Sequence, residues 1–430
     1  MVMLLIMIIG GAYLLVSQLN RGNGRSEADR KTSEALAKAK ETLIGWAVAN
    51  LTTPGMLPYP DRRDDGQYDG LSDCPAAGVP TSAILLLGKI PQVGPAIPCI
   101  APRTTIGIDV VDGAGEVLWY AVSRNMVSAL GGAPVINPDI INNPPFPWLV
   151  VRDQNGNIIN NRVAFVLIAP GPPLPGQDRT VPPPPALPPT AAQFLEGIGV
   201  VSNADFNGAY DTGAPCLPAT PPTPMCEDFV MSEPWPLVTA LTFNDRLLYV
   251  TIDELMPLIE KRVAGEVRQR LLEYFVAHQN FPYTANLTGG GACFSPNRRG
   301  RVPTSGCSAV FPITLFPGWF GAPNNWQNYI YYTVAPACVE GTTNCNGVPN
   351  TFLTVGNITN VRAVVITAGR TLNGVTCNTS SPPPYNQAIA RSTVCDYLDS
   401  AENTNLDDVY AGVGQPITNI FNDQAIIVAP

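Results

Sequence analysis

MVMLLIMIIGGAYLLVSQLN (Met1–Asn20) followed by RGNGRSEADRKTSEALAKAKETLIGWAVAN (Arg21–Asn50) is the stretch on which the reading of the fold turns. No charged side chain precedes Arg21. As a helix rising about 1.5 Å per residue, such a run spans roughly the 30 Å hydrocarbon core of a bilayer. Its apolar members are Met1, Val2, Met3, Leu4, Leu5, Ile6, Met7, Ile8, Ile9, Tyr13, Leu14, Leu15 and Val16. A cleaved secretory signal needs a basic region before the apolar run and small residues after it, whereas this run starts apolar and continues into Gln18-Leu19-Asn20, so a retained segment is expected. Asn20 to Arg25 is rich in breakers, and Gly22 and Gly24 are the expected helix break. Ser26–Asn50 is strongly helix-forming. There Ala28, Ala35, Leu36, Ala39, Leu43, Trp46 and Ala47 recur mostly at three- and four-residue steps, opposite Lys31, Lys38, Lys40 and Glu41. One long helix is therefore expected, apolar in its first half and amphipathic in its second.

This layout resembles the first helix of the type IV pilins and pseudopilins. The resemblance implies an N-terminal half that sits in the inner membrane before assembly and in the filament core afterwards, with a second half packed on a β-rich head. It also implies as partners copies of the chain itself, the inner membrane and the pilus assembly machinery, and as location an extracellular filament on a bacterial surface. Leu5 stands where the family usually carries glutamate, as in some of its minor and tip subunits.

The remainder of the chain shows an ordered internal echo. Leu43–Val48 is matched by Leu271–Val276, each closing an amphipathic helix; Leu57-Pro58-Tyr59 by Phe281-Pro282-Tyr283; Val79–Ser82 by Val302–Ser305; and Trp119–Val122 by Tyr331–Val334. Arg162–Gly171 then aligns with Val361–Gly369, Phe194-Leu195-Glu196 with Tyr397-Leu398-Asp399, and Phe243–Arg246 with Phe421–Gln424. The order is kept throughout. Most of the extra length in the first copy lies between Pro170 and Glu233, where Pro182–Pro185, Pro188-Pro189 and Pro221–Pro224 predict stiff polyproline loops, as Pro382–Pro384 does in the second copy. The second helix begins with Thr251-Ile252-Asp253-Glu254, a capping-box pattern, and holds Leu255, Ile259, Val263, Val267, Leu271 and Tyr274 on one face. Strands are expected at Val117–Val122, Val163–Ile168, Leu247–Ile252, Tyr329–Val334, Val361–Thr367 and Ala425–Val428, with turns at Asp112-Gly113 and Asn155-Gly156.

The expected fold is therefore α+β: a long N-terminal pilin-like helix, then two tandem duplicated helix-plus-antiparallel-sheet head units, disulfide-stapled and carrying long proline-rich loops. Residues 1–25 form the apolar segment and its break, 26–250 the first head unit with its helix at 26–50, and 251–430 the second, with its helix at 252–278.

Composition narrows the function. Of 430 residues 14% are charged, 45 are proline and 38 glycine, and 45% are hydrophobic, too many for disorder. A net charge of −9 and no basic stripe exclude nucleic acid as the expected partner. With His278 as the one histidine, neither a Ser-His-Asp triad nor a multi-histidine metal centre has its residues, and no catalytic set is assigned. His278 itself closes the second helix, where packing is the common role. The ten cysteines include no C-x-x-C pair and read as a disulfide framework made outside the cytosol. Short loops close most readily, which pairs Cys74 with Cys99, Cys216 with Cys226, Cys293 with Cys307, Cys338 with Cys345, and Cys377 with Cys395. Asp61, Asp65, Asp69 and Asp73, with nearby glycines, have the oxygen density of a structural calcium loop or, equally in keeping with Asp-Gly chemistry, of a solvated turn. No other cofactor is expected. The reading is a filament subunit; a minor or tip pseudopilin of a pilus or secretion machine, and a membrane-anchored periplasmic enzyme or binding module, are the alternatives.

Overall fold

The computed structural model describes residues 2–63, 66–74, 86–92, 106–127, 134–183, 186–199, 201–204, 228–232, 242–305, 316–342, 345, 351–372 and 391–430, with side chains from 26 onward. The chain divides into two compact units. The first comprises Met1–Trp46, Leu57–Gly132 and Phe146–Thr251; the second comprises Ala47–Met56, Ala133–Pro145 and Ile252–Pro430.

Helix α1 is Val2–Ala49, and its described side chains begin at 26. The side chains of the apolar run Met1–Val16 lie outside the described ones, while the backbone is helical through Gly22 and Gly24, where the sequence predicts a break; the packing of α1 can be followed on 26–49. Among the described residues no helix is long and apolar enough to cross a membrane. On 26–49 the apolar periodicity is realised: Ala35, Leu36, Ala39 and Leu43 are buried. Arg30 on the polar side pairs with Glu27 and Glu34, both exposed.

The first unit's main sheet is built from β1 (Leu87–Lys89), β2 (Trp119–Val122), β3 (Leu149–Arg152) and β4 (Ile158–Ala169), joined by β7 and β8 after a small pair, β5 (Gly197–Ile198) and β6 (Val201–Ser202). β7 is Asp228–Val230 and β8 is Arg246–Thr251. The C-terminal half of β4 lies between β2 and β8, antiparallel to both, with Trp119 opposite Ile168 and Val250 opposite Phe165. Val163–Ala169 is buried at every position, as expected of a strand covered on both faces. The N-terminal half of β4 turns back through Asp153–Asn157 to β3, where Gly156 takes the positive φ of 83° that the Asn-Gly turn requires.

Helix α2 (Ile252–His278) begins the C-terminal stretch of the second unit. Leu255, Ile259, Val263, Val267, Leu271 and Tyr274, the predicted face, are all buried, and Pro257 is carried within the helix. It packs on β13 and β15 of a sheet ordered β15-β13-β10-β9, from β9 (Arg299–Arg301), β10 (Ile330–Val334), β13 (Ala363–Thr367) and β15 (Gln424–Ala429). A smaller sheet joins β11 (Leu353–Val355) antiparallel to β12 (Ile358–Val361) and parallel to β14 (Val409–Tyr410). Short helices α3 (Val394–Tyr397) and α4 (Ala401–Thr404) precede β14.

The two units share a strand order, β1-β2-β4-β8 in one and β9-β10-β13-β15 in the other. Gly88 faces Tyr120 and Gly300 faces Tyr332. Each glycine admits a crossing backbone where a Cβ would collide with a carbonyl oxygen, that of Asp61 or that of Ala285. The Tyr120 hydroxyl donates to the Pro58 carbonyl at 3.2 Å and the Tyr332 hydroxyl to the Pro282 carbonyl at 3.1 Å. By this register Lys89-Ile90-Pro91 and Arg301-Val302-Pro303 each follow the glycine of an edge strand; Val79–Ser82, matched to Val302–Ser305 in the sequence, lie outside the described residues.

Candidate functional site

Cys338 and Cys345 form a disulfide. Cys74, Cys293 and Cys395 are also disulfide-bonded, and among the described residues no cysteine is free. Cys99, Cys216, Cys226, Cys307 and Cys377 lie outside the described residues.

The acidic loop is organised by its own backbone. Asp61 is 2% exposed; its Oδ2 accepts the Gly70 amide at 2.9 Å, and its backbone bridges Lys89. Asp73 Oδ2 accepts the Arg62 amide, and Asp69 Oδ1 accepts that of Leu71. Asp65 lies outside the described residues. Burial, with the neighbouring Asp73 and Asp69 adding to it, pushes the Asp61 carboxyl up to about 8. Among the described residues no three His, Cys, Asp or Glu side chains are grouped to hold a metal ion. His278 packs its ring on Tyr274, with centroids 4.3 Å apart.

The most organised polar geometry lies where the central strand of each sheet ends. In the first unit, Asp245 Oδ2 accepts the Glu196 amide and the Asn203 side-chain amide, both at 2.9 Å. Glu196 Oε2 returns the pairing by accepting the amides of Asn244 and Asp245. In the second, Asp423 Oδ2 accepts the Asp399 amide at 3.2 Å and Asn403 Nδ2 at 2.8 Å, while Asp399 Oδ2 accepts the Asn422 amide at 2.6 Å. Asn203 Oδ1 takes the Val230 amide and Asn403 Oδ1 the Ala411 amide, both at 2.8 Å. Burial first, and then the neighbouring carboxylate, holds the Asp245 and Asp423 carboxyls well above the usual range. A pair of neighbouring carboxyls can serve as an acid-base set where substrate reaches it. Here one oxygen of each aspartate is spent on amides away from solvent while its Oδ1 has no hydrogen-bond partner, and what the pair does is clamp the loop that returns to the sheet.

A buried arginine completes each clamp. Arg179 Nη1 donates to the Gly171 carbonyl at 2.7 Å, pairs with Glu116 at 3.2 Å and lies 5.0 Å from the Phe194 ring. Arg391 Nη2 donates to the Gly369 carbonyl at 2.9 Å, lies 3.8 Å from Asp139 and stacks over Tyr329 and Tyr397. Asp139 also accepts from the Tyr329 hydroxyl at 3.0 Å and the Thr371 hydroxyl at 2.7 Å.

Of these groups, the sequence comparison of the two halves had already aligned Glu196 with Asp399 and Asn244-Asp245 with Asn422-Asp423. It missed Asn203, Asn403, Arg179, Arg391 and Asp139, which sit in stretches where the halves differ in length. The usable signal was a polar residue of the same kind a few positions beyond each aligned acidic one. No protein-family model matches the chain, and no curated protein or solved structure compared with it does either.

Proposed function

We propose that this chain is a structural subunit of an extracellular type IV pilus-like filament, polymerising through its apolar N-terminal segment, with a head that is an internal duplication. The observation that carries this is the sequence of helix α1: an uncharged apolar run at 1–16, then a half that buries a narrow apolar face, Ala35, Leu36, Ala39 and Leu43, in a unit built on a mostly antiparallel sheet. An uncharged apolar run of that length suits burial against like segments. Packing it against the same segment of other copies is a heterologous, non-closing contact, which makes a fibre. Each large apolar side chain buried there contributes about 1.5–3 kcal/mol before the entropy of ordering. The disulfides favour a site outside the cytosol.

The duplication is supported by detail that chance similarity of short strings does not supply: one strand order, one glycine crossing, one tyrosine-to-proline hydrogen bond and one carboxyl clamp per unit. A second reading, a minor or tip subunit, is favoured by the two-unit head, which is large for a protein repeated along a whole filament. Surface fibres sheared from cells and labelled with antibody against the second unit test both. Label along the whole fibre supports the bulk subunit, and label at the ends alone supports the tip. If sheared fibres never contain the chain, the filament reading fails.

A further inference from the structure

We propose that the second unit holds a binding site for a primary alkylammonium group in the cavity between the start of α2 and the segment that precedes β15. The cavity measures ≈ 290 Å³ and is lined by Asp253, Met256, Pro257 and Glu260 of the helix, by Gly369 and Arg370 after β13, and by the segment ending at Asn422. Its walls are apolar where Ile141, Met256, Pro257 and Ile417 face it, which suits an aliphatic stem. Its polar atoms are mainly acceptors. Asn422 is 3% exposed, and while its Nδ2 donates to the Arg370 carbonyl at 2.7 Å, its Oδ1 is buried with no hydrogen-bond partner. Glu260 is 4% exposed, and Asp253 lies in the first turn of the helix. A buried carbonyl oxygen left unsatisfied is destabilising, and a donor entering the cavity removes that penalty. Arg370, the cationic side chain of the lining, is directed to Asn142 Oδ1 at 3.4 Å. Two carboxyls and an orphaned amide oxygen on an apolar slot select a cationic donor over an anion.

In the first unit a hairpin fills the corresponding place, although the matching Asn244 Oδ1 is likewise buried with no hydrogen-bond partner, so the cavity and its carboxyls are what set the second unit apart. Counted from Leu43 and Leu271, Met256 and Glu260 correspond to Ala28 and Thr32. Against those residues lies the Asp112–Glu116 hairpin: Gly113 donates to Thr32 Oγ1 at 2.9 Å, and a Cβ on Gly113 would overlap the Ala28 carbonyl. In the second unit the cavity occupies that side of the helix.

The charge state of Glu260 makes binding pH-dependent. Burial pushes its carboxyl up to about 8, opposed by Arg391 and assisted by Asp139; Thr367 is its neighbour from β13, and Asp253 and Arg370 share its cavity. A bound ammonium favours the ionised carboxylate, so affinity rises from pH 6 to pH 8.5. The test is saturation-transfer NMR and calorimetry of the full chain with butylammonium, butanol and butyrate. Butylammonium is expected to bind at least about fivefold tighter than either control at pH 8.5 and to weaken at pH 6; Glu260→Gln is expected to lose at least that factor. Met256→Trp, which fills the slot while keeping both carboxyls in the chain, is expected to abolish binding, with thermal melts reporting that each variant folds. Equal binding of butanol, tighter binding of butyrate, or butylammonium binding unchanged by both variants overturns the proposal.

Discussion

Gly171 and Gly369 sit at matching places, just beyond the central strand of each sheet, and both have a φ of 62°. Alanine at either forces an L residue into the left-handed region, at a cost of about 1–2 kcal/mol. The neighbours that the new methyl group meets are not the same at the two sites. A Cβ on Gly171 would come within 3.1 Å of Asn244 Nδ2, a contact that a small shift of the carboxamide relieves. A Cβ on Gly369 would come within 2.5 Å of Asn422 Cγ and 2.7 Å of its Nδ2, so the carboxamide must leave its place. Asn422 then loses its bond to the Arg370 carbonyl in a site 3% exposed, adding about 1–3 kcal/mol for buried polar groups left unsatisfied. Gly369→Ala should therefore cost about 2–5 kcal/mol and Gly171→Ala about 1–2. A chain of two units does not guarantee one unfolding transition, so the reading should be local: hydrogen exchange by mass spectrometry on peptides covering β4 and β13 reports opening free energies segment by segment. Equal losses at the two sites, or a larger one at Gly171, would refute the reasoning that the carboxamide contact sets the difference.

Glu260→Gln should change how stability depends on pH. The folded carboxyl at about 8 lies above its ordinary 4.5, so its contribution is fully present below about 4.5 and is lost as pH rises toward 8. The stability of the parent relative to the variant should fall by up to about 1.4 kcal/mol per pH unit across that window and level off above it; a pH-independent difference in melts between pH 5 and 9 refutes this. Replacing Cys338 and Cys345 by alanine opens a short loop, with a separation of 7 residues, and should cost about 2–3 kcal/mol, read as lost protection around residues 336–345. Asp139→Ala removes the carboxylate that faces Arg391, which is 2% exposed, and also receives the Tyr329 and Thr371 hydroxyls. Breaking such a buried pair costs about 3–5 kcal/mol, and exchange should rise in β10 and β13 while β2 is unchanged. Unaltered protection in β10 shows that Asp139 does not hold that unit together.

The parts legible in the sequence were those whose physics is local and periodic. The α2 face from Leu255 to Tyr274 was readable because apolar residues recur at helical spacing, and the strands Trp119–Val122 and Ile330–Val334 because aromatic and β-branched side chains stand between turn residues. The clamps were half legible. Glu196 and Asp399 each follow an aromatic residue and a leucine, and Asp245 and Asp423 each follow a Phe-Asn pair, so the acids could be aligned though their meeting could not. Asn203 and Asn403 reach them only because the loops after Glu196 and Asp399 bend back onto the sheet, and that bend depends on pairings such as Val230 to Asn203 that carry no sequence period.

Asp139 shows the stronger limit. In the first unit the loop after the central strand is held by Asp112, whose Oδ2 accepts the Gly171 amide at 2.8 Å, and Asp112 is close in sequence to the strand it serves. In the second unit the corresponding work falls to Asp139, whose Oδ1 accepts the Thr371 amide at 3.0 Å, although its number places it in the first half of the chain. Ala133–Pro145 belongs to the second unit, so no single cut at residue 250 separates the two. An echo found by matching motifs in order assumes that each copy is closed on itself. Here the matched motifs are the strands and clamps of the two units. The carboxylate that serves them comes from Asp112 in one and from Asp139 in the other, and the first turns of α2 line a cavity on the side that a hairpin covers in the first unit.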